Sequence, residues 1–408
     1  MNDSPVSDLS RRRFLTQTGL GLAAVSTLSR SIAQGTAANS RLRLGLIGCG
    51  GRGAWIAALF AEHGGYEIAA AADYFQDRVN KLAETYHLPP ARLFTGLKCA
   101  EKMIAQGGLD AVAIISPPYF HPTQAQAAVD AGLHVYLAKP VAVDVPGCLS
   151  IRHTGAEARR RGQVFLVDFQ TRTNEFFKEA VRRVHAGAIG ELVFGSAYYH
   201  AGRLVRKADP GTPGALVHNW VFDRALSGDI IVEQNIHTLD VMSWLLRETP
   251  PLHCTGTGGR SVRVDVGDAW DHFTLTYEYA NHVGVNFSSR QFDAQGEPGG
   301  IINQMFGTKG VFNSKYGGLV MLRGGAENYY RGGETGAIYK EGAVANIQAF
   351  HQQVTHRDVA NATVEPSVTS NLVALLGRTA AYEGRRVTWS ELMASRTVLQ
   401  PDLTGLAE

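Results

Sequence analysis

Over residues 42–73 a strand, a glycine loop, a helix and a second strand ending in an acid follow one another, and few folds accommodate that order. Leu42-Arg43-Leu44-Gly45-Leu46-Ile47 alternates into an apolar run, the pattern of a buried strand. Gly48-Cys49-Gly50-Gly51-Arg52-Gly53 comes next, which is G-x-G-x-x-G, and Ala54 to His63 has helical character. Gly48 permits the tight turn, Gly50 lets backbone approach a pyrophosphate, and Gly53 lets helix and strand pack closely. The helix N-terminus then faces the phosphates, with Gly51 and Arg52 beside them. The second apolar run, Tyr66 to Ala72, ends at Asp73, 20 residues after Gly53. An acid there bonds ribose hydroxyls and repels a 2′-phosphate, which favours NAD over NADP. Arg78 keeps NADP open. The bland alternative is a Rossmann-like fold that binds no dinucleotide.

Further strands and helices alternate beyond this unit. Asp110 to Ile115 is a buried strand that stops at Ser116-Pro117-Pro118, a helix spans about Thr123 to Ala131, and His134 to Leu137 is a short strand. A last strand runs from Val164 to Asp168. The alternation predicts a doubly wound parallel sheet. From about Glu191 the pattern changes to strand-like runs at Leu192 to His200, His272 to Tyr279, Gly284 to Arg290, Ile301 to Thr308 and Val311 to Asn313. These predict a second α+β domain with a large, mostly antiparallel open sheet. Residues 316–342, rich in glycine and tyrosine, read as a loop reaching a neighbouring subunit. Ala343 to Asp358 and Val368 to Gly384 read as closing helices. The expected organisation is an address at 1–33, a linker at 34–41, a Rossmann domain at 42–168, a substrate and oligomerisation domain at 169–390 and a tail at 391–408.

The address rests on Ser10-Arg11-Arg12-Arg13-Phe14-Leu15, which fits a twin-arginine export signal. A mild apolar run from Gly19 to Leu28 and the small residues of Ser31-Ile32-Ala33 follow in order. That run is too short for a firm membrane anchor. The expected location is therefore periplasmic or exported, by way of the twin-arginine machinery. The other reading is a basic tail. A net charge of +2 with no basic stripe gives no case for nucleic acid. Arg159-Arg160-Arg161 and Arg385-Arg386 are read as solvated helix ends. The four cysteines, Cys49, Cys99, Cys148 and Cys254, show neither C-x-x-C nor zinc spacing and are read as small buried hydrophobes.

At Lys139-Pro140 the chain begins to resemble the glucose–fructose oxidoreductase/inositol dehydrogenase/MocA family, and the likeness covers nearly all of residues 42–390. That family closes this strand with Glu-Lys-Pro; here Ala138 replaces the glutamate. The resemblance implies that Lys139 points into the nicotinamide cleft. Its second motif is an acid four residues before a histidine, here Glu233 and His237 within Gly228-Asp229-Ile230-Ile231-Val232-Glu233-Gln234-Asn235-Ile236-His237-Thr238-Leu239-Asp240. On one helix those positions, with Asp240, would share a face. The family usually has Asp where Glu233 stands. Ser116, Pro117 and His121 stand where relatives touch the nicotinamide ribose, although His121 reads equally well as structural. Arg172 and Trp220 are candidates for holding a substrate, each against a surface or core alternative. The likeness also implies a homodimer or homotetramer.

These residue types suit alcohol oxidation. A histidine takes the hydroxyl proton near neutral pH, and a lysine holds the developing oxyanion. His237 is thus expected as general base or acid, Lys139 as its electrostatic partner, and Glu233 as an orienting or substrate-binding group. No metal is expected, since hydride transfer needs none. The expected function is an oxidoreductase acting on a sugar or polyol with tightly bound NAD. A glycoside-cleaving enzyme working by transient 3-keto oxidation, and a non-catalytic ligand-binding protein, are the alternatives.

Overall fold

A computed structural model describes residues 41–408, and residues 42–408 form one compact unit. The export segment and nearly all of the linker lie outside the described residues. The first layer runs β1 (Leu42–Ile47), α1 (Gly51–His63), β2 (Tyr66–Asp73), α2 (Gln76–Tyr86), β3 (Leu93–Thr95), α3 (Cys99–Gln106), β4 (Ala111–Ile114), α4 (His121–Asp130), β5 (His134–Ala138), α5 (Val145–Arg160) and β6 (Phe165–Asp168). Its strands pair in parallel in the order β3-β2-β1-β4-β5-β6. The order reverses between β1 and β4, so a crevice opens above their C-terminal ends. Apart from the half-buried edge strand β3, the strands are largely buried on both faces, which is why they read as apolar runs.

The rest of the chain supplies α6 (Glu175–His185), β7 (Leu192–Ala201), α7 (Ala215–His218), α8 (Arg224–Ser227), α9 (Ile230–Glu233), α10 (Ile236–Leu245), β8 (His253–Gly259), β9 (His272–Glu278), β10 (Gly284–Gln291), β11 (Gly300–Gly307), β12 (Gly310–Lys315), β13 (Leu319–Gly324), β14 (Tyr330–Glu334), α11 (Ile338–His356), α12 (Val364–Glu383), β15 (Val387–Thr388) and α13 (Trp389–Ala394). Nine strands form one sheet in the order β14-β13-β12-β11-β7-β10-β9-β8-β15. It is antiparallel except for β7 with β10. Strand alternation sorts β7: Gly195 and Ala197 are buried, and the same face carries Tyr199 toward the site. On the other face Phe194 stacks on Phe306 at 4.4 Å.

Residues 316–342 are not a loop. They hold β13, β14 and the first turn and more of α11. Glycines dilute the β-propensity there, and the strands exist because β12 offers a ladder to pair with. The same dilution hid β8, whose sequence is His-Cys-Thr-Gly-Thr-Gly-Gly. The four cysteines are free and buried. No helix among the described residues is long and apolar enough to cross a membrane.

Candidate active site

The glycine loop leaves β1 and enters α1, and its shape is forced by close backbone approaches. Gly48 has φ +89°, and a Cβ there would lie 2.7 Å from the Ile115 carbonyl oxygen. A Cβ on Gly53 would lie 1.8 Å from the Gly48 carbonyl oxygen. At Gly51 nothing among the described residues stands within 4 Å of a Cβ, so the loop opens onto free space. That space is a cavity of about 220 Å³ lined by Gly48, Gly50 to Gly53, Asp73, Ser116 and Pro117. Asp73 accepts the Cys49 amide N–H at 2.7 Å and the Phe75 amide N–H at 2.9 Å. Burial raises its pKa, against those two N–H groups and Arg78, 3.7 Å away. Ser116 Oγ donates to Gln124 Oε1 at 2.6 Å. A bare backbone floor, a helix N-terminus and a carboxylate at the end of β2 fit a dinucleotide.

A second cavity, about 390 Å³, shares Arg52, Lys207, His218 and Trp220 with the first. It adds Lys139, Glu233, His237, Tyr199 and Tyr339. Lys139 ends the turn after β5, at a cis Lys139–Pro140 bond. Its Nζ donates to the Glu233 backbone carbonyl at 2.5 Å and lies 3.6 Å from the Glu233 carboxylate. Burial lowers the lysine pKa, and the Glu233 charge works against that. Burial also holds His237 well below the usual imidazole range, and Lys139 and Arg52 push the same way. Its Nδ1 is buried with no hydrogen-bond partner among the described residues. Arg52 reaches Asp168 at 2.5 Å and the Tyr339 hydroxyl at 2.6 Å. Burial opposes its charge, but Asp168 and Tyr339 more than offset that. Among the described residues no group of three His, Cys, Asp or Glu side chains is placed to share a metal ion.

Residues 42–169 match the model of the oxidoreductase family with an NAD-binding Rossmann fold, and residues 177–313 match the GFO/IDH/MocA C-terminal domain. The two together span well over half of the chain. The chain belongs to the GFO/IDH/MocA family. It is similar to a "Glycosyl hydrolase family 109 protein" of Solibacter usitatus, 29% identical over 208 residues, 49% of this chain and 47% of that protein. It is also similar to "Inositol 2-dehydrogenase 1" of Saccharopolyspora erythraea, 29% identical over 206 residues, 48% of this chain and 57% of that protein. The chain thus spans about half the length of these curated relatives. Among solved structures it resembles myo-inositol 2-dehydrogenase from Lactobacillus plantarum, with TM-score 0.67 and 20% identity, covering 85% of this chain and 99% of that one.

Within this GFO/IDH/MocA frame several sequence expectations need correction. Glu233 and His237 do not share one helix: α9 ends at Glu233, and α10 starts at Ile236. Both still line the second cavity. Asp229 fixes the first of these helices, since it accepts the Ile230 amide N–H at 2.6 Å and the Tyr382 hydroxyl at 2.6 Å. Asp240 is fully buried and does not line the cavity. It is held by Arg172, whose Nε lies 2.9 and 3.0 Å from its two oxygens, and by Ser370 Oγ at 2.7 Å. Arg172 also meets Glu248 at 2.9 Å, so it is committed to an ion pair rather than free for a substrate. His121 lines neither cavity; its two ring nitrogens face the carbonyls of Pro140 and Ser116, each at 2.8 Å. Trp220 lines both cavities, as a contact residue would. Tyr339 and Lys207 went unnoticed in the sequence because each sits in a stretch with no motif, and only the fold carries them to the cleft.

Proposed function

We propose that the protein is an NAD-dependent oxidoreductase that moves a hydride between a secondary hydroxyl of a sugar or polyol and a bound nicotinamide. One observation carries this: Lys139, Glu233 and His237, from two distant parts of the chain, line a cavity that shares a wall with the glycine-loop cavity. The backbone of the glycine loop and Asp73 would hold the dinucleotide, which when bound supplies the hydride acceptor. Asp73 favours NAD over its 2′-phosphate. A substrate hydroxyl lying between His237 and Lys139 gives its proton to the neutral imidazole. The Lys139 ammonium stabilises the developing oxyanion. Glu233 holds Lys139 in place through its carbonyl and faces the substrate with its carboxylate. Trp220, Tyr199 and Tyr339 offer aromatic surface to a sugar ring.

A second reading is redox-neutral glycoside cleavage by transient oxidation, elimination, hydration and re-reduction. Glu233 and Tyr199 in the same cavity favour it, since elimination needs an additional base and acid, and relatives carry the glycosyl hydrolase name. The twin-arginine pattern supports export, and an exported dinucleotide enzyme is best served by a cofactor that stays bound. The Phe194–Phe306 stack on the outer sheet face, with Phe194 exposed, supports a homo-oligomer.

The test is the nucleotide content of the purified protein after denaturation, followed by turnover of inositols, aldoses and nitrophenyl glycosides with and without added NAD. Reduction of NAD by a polyol, lost by at least about a hundredfold in His237→Ala, supports the first reading. Nitrophenol release without net NADH moves the assignment to the second. A protein whose biological activity survives His237→Ala is a binding protein instead.

A further inference from the structure

After α13 the chain forms no regular element, yet residues 395–408 are not a free tail. Leu399 N–H donates to Asp144 Oδ2 at 2.9 Å, the carboxylate that also caps α5. The Tyr119 hydroxyl donates to Gln400 Oε1 at 3.3 Å. Leu97 N–H donates to the Ala407 carbonyl at 2.9 Å, and Ala407 N–H donates to the Tyr74 hydroxyl at 3.2 Å. Lys102 Nζ donates to the Glu408 backbone oxygen at 3.1 Å, and Lys98 pairs with the Glu408 carboxylate. Gly96 has φ +90°, and a Cβ there would lie 2.4 Å from the Glu408 backbone oxygen, so only glycine lets the segment lie where it does.

The position of these anchors matters more than their number. Tyr74, Gly96 and Leu97 line the glycine-loop cavity themselves, and Tyr119 adjoins Phe120, which also lines it. The second half of the chain reaches the same cavity from the other side. His218 stacks on Phe75 at 3.8 Å, and its Nδ1 is 3.1 Å from Arg78. The Asp73 end of the cavity is thus faced directly by Val217 and His218 from the second half of the chain, while its Tyr74, Gly96 and Leu97 wall is backed from outside by residues 399–408.

We propose that residues 399–408 are a strap belonging to the dinucleotide site, and that opening of this strap sets the rate at which a bound dinucleotide leaves. The proposal rests on the dinucleotide reading above. A segment held by a few exposed hydrogen bonds and little apolar burial opens locally at low cost, as a gate requires. It need not change the affinity of the chemistry-bearing end, where Lys139 and His237 lie.

The experiment is a chase: the full chain is loaded with NADH, excess NAD is added, and the loss of bound NADH fluorescence is followed. The chain ending at Val398 is compared, with circular dichroism and thermal unfolding confirming its fold. Release at least tenfold faster than from the full chain is expected. A folded truncated chain whose release is within twofold of the full chain overturns the strap. Should the truncation not fold, Ala407→Pro with Glu408→Lys removes the Tyr74 bond and the Lys98 pair in the full-length chain and sets a like charge beside Lys98 and Lys102, and is read by the same thresholds. A full chain that binds no NADH at all overturns the dinucleotide reading and the strap with it, whereas binding with unchanged release overturns the strap alone.

Discussion

The Lys139 ammonium donates to the backbone carbonyl of Glu233 at 2.5 Å while lying 3.6 Å from the same residue's carboxylate. The end of β5 is thereby tied to the end of α9, and one residue both places the lysine and tunes it. Lys139→Met should lower kcat by about 10²–10³-fold, with NADH affinity little changed, because the stabilised charge exists in the transition state. Glu233→Gln is the finer probe. It keeps the backbone acceptor and removes the charge that opposes desolvation. The lysine pKa then falls further, so the alkaline limb of the kcat/KM profile should move to lower pH. An alkaline limb that stays in place in Glu233→Gln, or one that moves up, contradicts the assignment.

His121 is fully buried between the carbonyls of Pro140 and Ser116. A neutral imidazole has one N–H for two acceptors, so both carbonyls favour protonation. Burial wins nonetheless, and the pKa drops from 6.5 to about 4. The folded state therefore prefers the neutral ring. This stability is full above the unfolded value near pH 6.5 and is lost as pH falls toward 4. Between pH 7 and 4.5 the loss amounts to about 2–3 kcal/mol from this group. Urea unfolding of the wild type and His121→Gln at both pH values isolates it: the variant should lose less stability on acidification by about that amount.

Arg172 and Asp240 looked like substrate ligands in the sequence and are a buried ion pair in the fold. Arg172 also lies over the Trp244 ring at 5.2 Å. Removing one partner leaves the other charged and dry, so Arg172→Ala should cost about 3–5 kcal/mol. Denaturant unfolding measures that. In the folded variant, assayed well below its melting point, KM should stay within threefold of the wild type. A tenfold rise in KM with stability unchanged would return Arg172 to the substrate site.

What was legible follows from how local each signal is. The strand, glycine loop, helix and Asp73 lie within 32 consecutive residues, and their roles depend on backbone conformation that the residues themselves dictate. Lys139 and His237 were legible through short motifs. The spacing of Glu233 and His237 was right about their proximity and wrong about the reason, because the chain breaks helix at Gln234 and Asn235 and still returns both side chains to one cavity. Periodicity placed Asp240 with both; the break parts Glu233 from it, and although Asp240 follows His237 by three residues on the same α10, its carboxylate is taken by Arg172 and Ser370 rather than facing the cavity. Arg52 was read as a cofactor-binding residue beside the phosphates. Its pairing with Asp168 and Tyr339 joins positions 116 and 287 residues apart, which no local pattern encodes.

The glycine loop provides a test that separates close packing from a mere preference for flexibility. Gly53 and Gly51 are two residues apart in the first turn of α1, and both look replaceable on helix propensity alone, where alanine is better by about 1 kcal/mol. Their surroundings differ. A Gly53 Cβ would sit 1.8 Å from the Gly48 carbonyl oxygen, whereas a Gly51 Cβ meets nothing within 4 Å among the described residues. Gly53→Ala must push α1 away from β1, and the loop that forms the cavity floor moves with it. It should lower the melting temperature by several degrees and abolish NADH retention through gel filtration. Gly51→Ala should melt within about 2 °C of the wild type, since it adds a methyl to open space and improves the helix. Its NADH affinity then reports directly on the cavity: weakening by tenfold or more with unchanged stability means that a dinucleotide backbone lies against residue 51, and unchanged affinity means that it passes elsewhere.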